Sequence, residues 1–213
     1  VKYIVTLIIS TFFFYGTAQE NMEGKNWNVI YSPSAFINDF PGIQIGIERK
    51  IKKFAVELEA AYLSNVFDIE QEFVNQRGFR DGYRIKLGVK YKLYDAMSIN
   101  IIGFYRKTYH DEIETFSMFS GAYFQEIEFS REKSLIGPTL GCTYYKKIWK
   151  NISIELGGST GIGRITVTQS GIPEYAEELE SFDNRGTLLD GFDNPGVFQY
   201  PIISGQAKIK YNF

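Results

Sequence analysis

The sequence predicts an all-β chain, with eight antiparallel strands in up-and-down order closing into a transmembrane barrel. Three observations carry that expectation. Apolar and polar residues alternate with a period of two along most of the chain, the spacing of the two faces of a strand. The connections between the alternating runs are by turns long and short. The quoted sequence runs out in mid-strand, on "GQAKIKYNF", residues 205–213. An open apolar edge invites aggregation, and pairing it with the first strand removes it by closing the sheet.

Length and composition set the bounds. The 213 residues suit one domain of ordinary size. Residues 1–18 are expected to be a cleaved signal peptide, and 19–213 the barrel domain. Lys2 supplies the basic start, Tyr3 to Tyr15 the apolar run, and Gly16-Thr17-Ala18 the small residues before a cut after Ala18 or Gln19. Thirteen apolar residues are too few to span a bilayer as a helix. Nothing later reaches the roughly 18 consecutive apolar residues such a helix needs. Without Lys2 the chain carries 22 basic against 25 acidic residues. That balance leaves no electrostatic footprint for nucleic acid. Cys142 is the single cysteine, so no internal disulfide forms, and it reads as an apolar strand residue.

The strands follow in order. A weak first one lies in residues 26–37, "NWNVIYSPSAFI". Ile43, Ile45 and Ile47 mark the second; Phe54, Val56, Leu58, Ala60 and Tyr62 mark the third. The cleanest run is the fourth, where Tyr83, Ile85, Leu87, Val89, Tyr91 and Leu93 alternate with Arg84, Lys86, Gly88, Lys90 and Lys92. Met97, Ile99 and Ile101 open the fifth. Ile136, Leu140 and Tyr144 define the sixth, and Ile152, Ile154, Leu156 and Ile162 the seventh. Ala207, Ile209, Tyr211 and Phe213 share one face of the eighth.

The long connections are "NDFPG", then roughly 65–79, 111–130 and 168–196; the short ones are Lys52-Lys53, Tyr94-Asp95-Ala96 and Ile148-Trp149-Lys150. In a meander, alternate connections lie at the same end of the sheet. One end is therefore trimmed to tight turns while the other carries loops, which is the layout of membrane barrels with short periplasmic turns and longer external loops.

The last strand, with Ile209, Tyr211 and Phe213 on one face, resembles the C-terminal signature that the assembly machinery of bacterial outer-membrane barrels recognises. The whole layout is similar to the small eight-stranded families typified by OmpA and OmpX, and to small outer-membrane barrels common in Bacteroidetes. That resemblance implies a bacterial outer-membrane location, outer-membrane lipid and the barrel assembly machinery as partners, and no particular activity.

Which face meets lipid follows from three features. Glycines (Gly46, Gly88, Gly137, Gly141, Gly157, Gly161, Gly163) crowd the polar face, as a narrow interior requires. Tyr62, Tyr91, Tyr94, Tyr105, Tyr109, Tyr144, Trp149 and Tyr211 gather near strand ends, as interfacial girdles do. The third is the asymmetry of the connections. A soluble, lipocalin-like barrel with the apolar face inward is the alternative. With the apolar face outward, Glu48, Glu57, Glu59, Arg84, Lys86, Lys90, Lys92, Glu155, Lys208 and Lys210 enter the lumen, with opposite signs on neighbouring strands. Eight strands leave an interior that side chains can fill. These charges are expected to interlock as a plug, against the alternative of solvated charges lining a wet pore.

Several constellations point to chemistry less strongly. Asp183, Asn184, Asp190, Asp193 and Asn194 offer hard oxygens for calcium, but "FDNRG" and "FDNPG" are also turn sequences, and the spacing fits no EF-hand. They are expected to be turns. "PEYAEELESF" suggests a short helix after Pro173, in an acidic loop, 168–196, that suits a cationic surface partner or simply solvent. His110, the only histidine, is expected at the membrane interface at the outer end of strand five. With Ser117 or Ser120 and a carboxylate it forms the alternative of a lipid-modifying enzyme. "GGSTGIGR" at 157–164 lacks the Lys-Ser/Thr ending of a phosphate loop and lies within a strand. The expectation is a structural or surface-interaction protein with no metal and no cofactor.

Overall fold

The computed structural model describes residues 26–36, 40–67, 78–119, 121, 123–173, 176–178 and 195–213. The expected signal peptide, residues 1–18, lies outside them. The strands are β1 (Trp27–Tyr31), β2 (Gly42–Ile51), β3 (Phe54–Ser64), β4 (Phe79–Tyr94), β5 (Met97–Met118), β6 (Tyr123–Lys147), β7 (Ile152–Ser170), β8 (Ala176–Glu178) and β9 (Gly196–Asn212). Eight of them, all but β8, form a hydrogen-bonded ring in which every neighbour is antiparallel. The ring closes where β1 meets β9, with Asn28 opposite Asn212 and Tyr31 opposite Ile209.

The ring is uneven. β6 runs for 25 residues and β1 for only 5. The expected first strand, 26–37, stops at Tyr31 because Pro33 opens a 3-10 turn, Pro33–Phe36. Proline has no N–H to give a ladder. The Ser34 hydroxyl takes over there: it accepts from the Ala207 N–H at 3.1 Å and stands 3.3 Å from the Ala207 carbonyl.

The short connections match their expected places. Lys52-Lys53 joins Ile51 to Phe54, and Lys52 adopts a positive φ of 55°, as two-residue hairpin loops require. Asp95-Ala96 joins β4 to β5.

The stretch 111–130 is not a loop. β5 and β6 stay paired from Met97 opposite Tyr144 to Met118 opposite Tyr123, so the hairpin projects past β4, whose last rung on β5 is Phe79 opposite His110. Charged residues of both parities (Asp111, Glu112, Glu114, Glu126, Glu128) hide the apolar alternation, whereas backbone pairing needs no side-chain pattern. β8 adds to the β5 edge that β4 leaves bare, with Ala176 opposite Met118. Ala176–Glu178 are thus a strand rather than part of the helix expected after Pro173. Under the projection Phe116, Met118 and Phe129 pack together with Ile127 and Ile172.

Glycine is forced at two positions, one on β6 and one on β7. A Cβ at Gly141 would stand 2.5 Å from the Gly158 carbonyl and 2.6 Å from Asn100 Oδ1; one at Gly161 would meet the Pro138 carbonyl at 2.1 Å. No larger residue fits either place without moving backbone.

Candidate functional site

The strands turn their charged parity inward. Glu48 on β2, Glu57 and Glu59 on β3, Lys90 on β4, Glu155 on β7, and Lys208 and Lys210 on β9 are all buried. They form one connected lattice. Lys90 Nζ donates to Glu57 at 2.5 Å, Glu155 at 2.6 Å and Glu48 at 3.2 Å. Lys210 bridges Glu48 and Glu155, each at 2.5 Å. Lys208, with 0% of its surface exposed, joins Glu59 at 2.6 Å and bonds Glu57 as well.

The sign pattern suggested pairing between adjacent strands. Glu57–Lys90 and Glu155–Lys210 are of that kind. The other close contacts, β9 to β3, β9 to β2, β4 to β2 and β4 to β7, each skip at least one strand, so the lattice ties strands that share no ladder. An isolated ion pair 4 Å apart attracts by about 4 kcal/mol at an effective dielectric near 20. Desolvation offsets much of that, and what such a lattice secures is geometry.

Three expected members behave differently. Arg84 is buried and donates to Gln44 Oε1 at 2.8 Å. Lys86 is half-buried beside Arg84, Glu59 and Lys208, without an ion pair inside 4 Å among the described residues. Lys92 lies at the turn end and binds Asp95 at 2.8 Å, with half its side chain in the open. The hydrogen bond from Lys92 holds the Asp95 carboxyl below the usual carboxylate range.

Other residues complete the lattice. Asn28 donates to Glu48 at 2.6 Å, Ser32 to Glu59 at 2.8 Å, and Gln44 also bonds Glu59. Gln44 was available to sequence reasoning, since it shares the parity of Glu48. Asn28 and Ser32 were not, because the first strand is too short to show a period.

Toward the long connections the interior changes character. Leu135, Ile165, Val167, Tyr200 and Ile202 form one apolar cluster, and Phe40, Ala61, Leu63 and Phe79 another. Arg106 lies over the Phe40 ring at 4.3 Å. His110 is buried rather than interfacial: its ring stands 5.7 Å from Phe79 and 6.0 Å from Phe40, and Nε2 is 3.2 Å from the Thr108 hydroxyl. Ser117 is seven residues farther along β5, about 23 Å away at roughly 3.3 Å per residue, so the strand holds the two apart. Ser120 lies outside the described residues. Glu112, on the same strand, bonds Arg131 instead. That pair was missed because both residues fell in or beside the supposed loop.

Ile209 and Tyr211 face outward on β9, and Phe213 follows it, also exposed. Cys142 is exposed on β6. Asp183, Asn184, Asp190, Asp193 and Asn194 lie outside the described residues, as does most of the 168–196 connection. Among the described residues no cluster of metal-ligating side chains occurs. No family model matches the chain, and neither a curated protein nor a solved structure shows detectable similarity to it.

Proposed function

We propose that the chain is a bacterial outer-membrane barrel, sealed by its internal charge lattice, whose role is structural and surface-interacting through the rim that carries the long connections. The observation that supports this most is the inversion of the two faces. Charge is buried inside the ring while hydrocarbon is bare outside it. Rows of aliphatic residues run from strand to strand over the exterior, Val29–Ile47–Leu58–Leu87 in one and Val89–Ile101–Leu140 in another. Soluble monomers rarely expose continuous apolar patches beyond about 300–600 Å². A lipocalin-like barrel needs the opposite arrangement.

Tyr62, Tyr94, Tyr144, Trp149 and Tyr211 lie exposed toward strand ends, where a headgroup region would meet them. Closure of β1 on β9 places both ends of the described chain at the short-turn rim, the periplasmic side in this orientation. Outer-membrane lipid and the barrel assembly machinery are the partners this location requires. Ile209, Tyr211 and Phe213 are the residues the machinery would read. A surface partner engages the acidic connection 168–196, and no cofactor is needed.

Three experiments test this. Envelope fractionation of a Gram-negative host expressing the chain should find it in detergent extracts of the outer membrane; recovery as a soluble periplasmic protein overturns the membrane location. Intact-cell pull-downs should retrieve a specific surface partner with the full chain and lose it with a variant lacking 171–193. An unchanged set of captured proteins removes the interaction role. Planar-bilayer recordings with steady, large currents would refute the seal.

A further inference from the structure

The turn end of the barrel opens into a cavity of about 180 Å³ whose floor is the charge lattice, through Glu48, Lys90, Glu155 and Lys210. Its rim is one-sided. Lys50, Lys52, Lys53 and Lys92 stand round it, and Asp95 is the only carboxylate among them. Asp95 is taken up by Lys92 at 2.8 Å. Among the described residues no acid lies within ion-pair distance of the three lysines of the β2–β3 hairpin; Lys50 rests over the Tyr145 ring at 5.5 Å from its centroid. Tyr94 and Ser98 add hydroxyls to the lining. Floor and rim therefore differ in kind: the floor's charges are answered by one another, and the rim's are not.

We propose that this blind vestibule binds a phosphate-bearing group, either free phosphate or the phosphate of a lipid headgroup. The charge count selects the ligand class. Three unanswered ammonium groups around one small cavity favour an anion carrying more than one charge. A phosphate monoester carries about −1.5 to −2 near neutral pH, with three strong acceptor oxygens. Lysine meets phosphate as a mobile point charge with three donors, which suits a rim built from a hairpin tip better than a fixed fork would. A single carboxylate would leave most of the rim uncompensated. The cavity is closed below by the lattice, so an anion entering it binds and does not pass. The lining and the charges around it carry this irrespective of the membrane location.

The test uses the full chain folded in a non-ionic detergent, titrated calorimetrically with inorganic phosphate in one arm and a short-chain phosphatidic acid in the other, at constant ionic strength. Saturable binding is expected, weakened at least tenfold in the triple variant Lys50→Gln/Lys52→Gln/Lys53→Gln and tightened about threefold in Asp95→Asn, which frees Lys92. Heat-modifiable gel migration reports folding of each variant. Binding by the lipid alone assigns the headgroup as source, and binding by both assigns free phosphate as sufficient. No saturable binding in either arm overturns the proposal. So does a folded triple variant that binds as well as the parent or, should that variant not fold, an Asp95→Asn variant that binds no more tightly.

Discussion

Near the turns the narrow interior is filled by seven charged side chains from β2, β3, β4, β7 and β9. Near the long connections the interior carries hydrocarbon clusters, with Leu135, Ile165, Val167, Tyr200 and Ile202 in one and Phe40, Leu63 and Phe79, against buried His110, in the other. The apolar clusters each stay within neighbouring strands and divide the interior between them. The ionic layer does not divide: Lys208 on β9 reaches Glu57 and Glu59 on β3, and Lys90 on β4 reaches Glu155 on β7. Hydrocarbon contacts are short-ranged and non-directional, so apolar packing serves whichever strands lie closest. Charges taken out of water must each find a partner, and that requirement carries the contacts across the ring.

Breaking one member of each layer separates the two. Lys208→Met should cost the most, about 3–5 kcal/mol, because Glu57 and Glu59 are left facing each other without their shared cation. Urea unfolding in detergent, followed by tryptophan fluorescence, measures it. Adding Glu59→Gln to that variant should recover part of the loss, which a purely steric effect of methionine would not allow.

An outward substitution tests the other side of the wall. Leu87 is 56% exposed in the middle of β4. Leu87→Arg should cost about 2–4 kcal/mol for folding into a bilayer, the range for arginine near the midplane of a lipid-facing strand. A surface site in water would tolerate the change within roughly 0.5 kcal/mol.

Much of this contrast was legible in the sequence. The fourth strand shows its two faces over eleven residues, and parity alone brought Glu48, Glu57, Glu59, Lys90, Glu155, Lys208 and Lys210 to one surface. What parity cannot say is which partner each charge meets across a closed ring. Lys86 and Lys92 share the parity of Lys90, yet Lys86 lies between cations and carboxylates without closing an ion pair among the described residues, and Lys92 stays at the turn with Asp95. The projecting hairpin was invisible for a different reason. Its strands are held by backbone rungs between residues whose side chains are charged on both faces, so the pattern that marks a half-buried strand is missing. His110 followed from that error: taken as a strand end, it is the middle of a long strand and buried against two rings.

Smaller changes sharpen the comparison. Ile202→Val, in the apolar layer, should cost only about 0.5–1.5 kcal/mol, because one methyl is lost and the cluster is not left with an unsatisfied group. The same urea titration reads it. Asp95→Asn should leave the unfolding midpoint unchanged within error, since the Lys92–Asp95 pair is open to solvent and screened. Its carboxyl is depressed, so any contribution is present above the ordinary carboxylate pKa and fades as pH falls through the folded value; parent and Asp95→Asn should stay alike within error in a titration from pH 7 to pH 3, and a gap that closes toward pH 3 would show the pair to be worth more.

One experiment bears on the whole arrangement of hydrocarbon outside and charge within. The purified chain, unfolded in urea, is diluted either into phospholipid vesicles or into buffer alone, and circular dichroism and gel migration before and after boiling are recorded. Vesicles should yield a β-sheet spectrum and a band that migrates differently until boiled, while buffer alone yields aggregate. A soluble, cooperatively melting β-protein in plain buffer would mean that the exposed aliphatic rows of the ring do not need lipid, and that its outside has been taken for its inside.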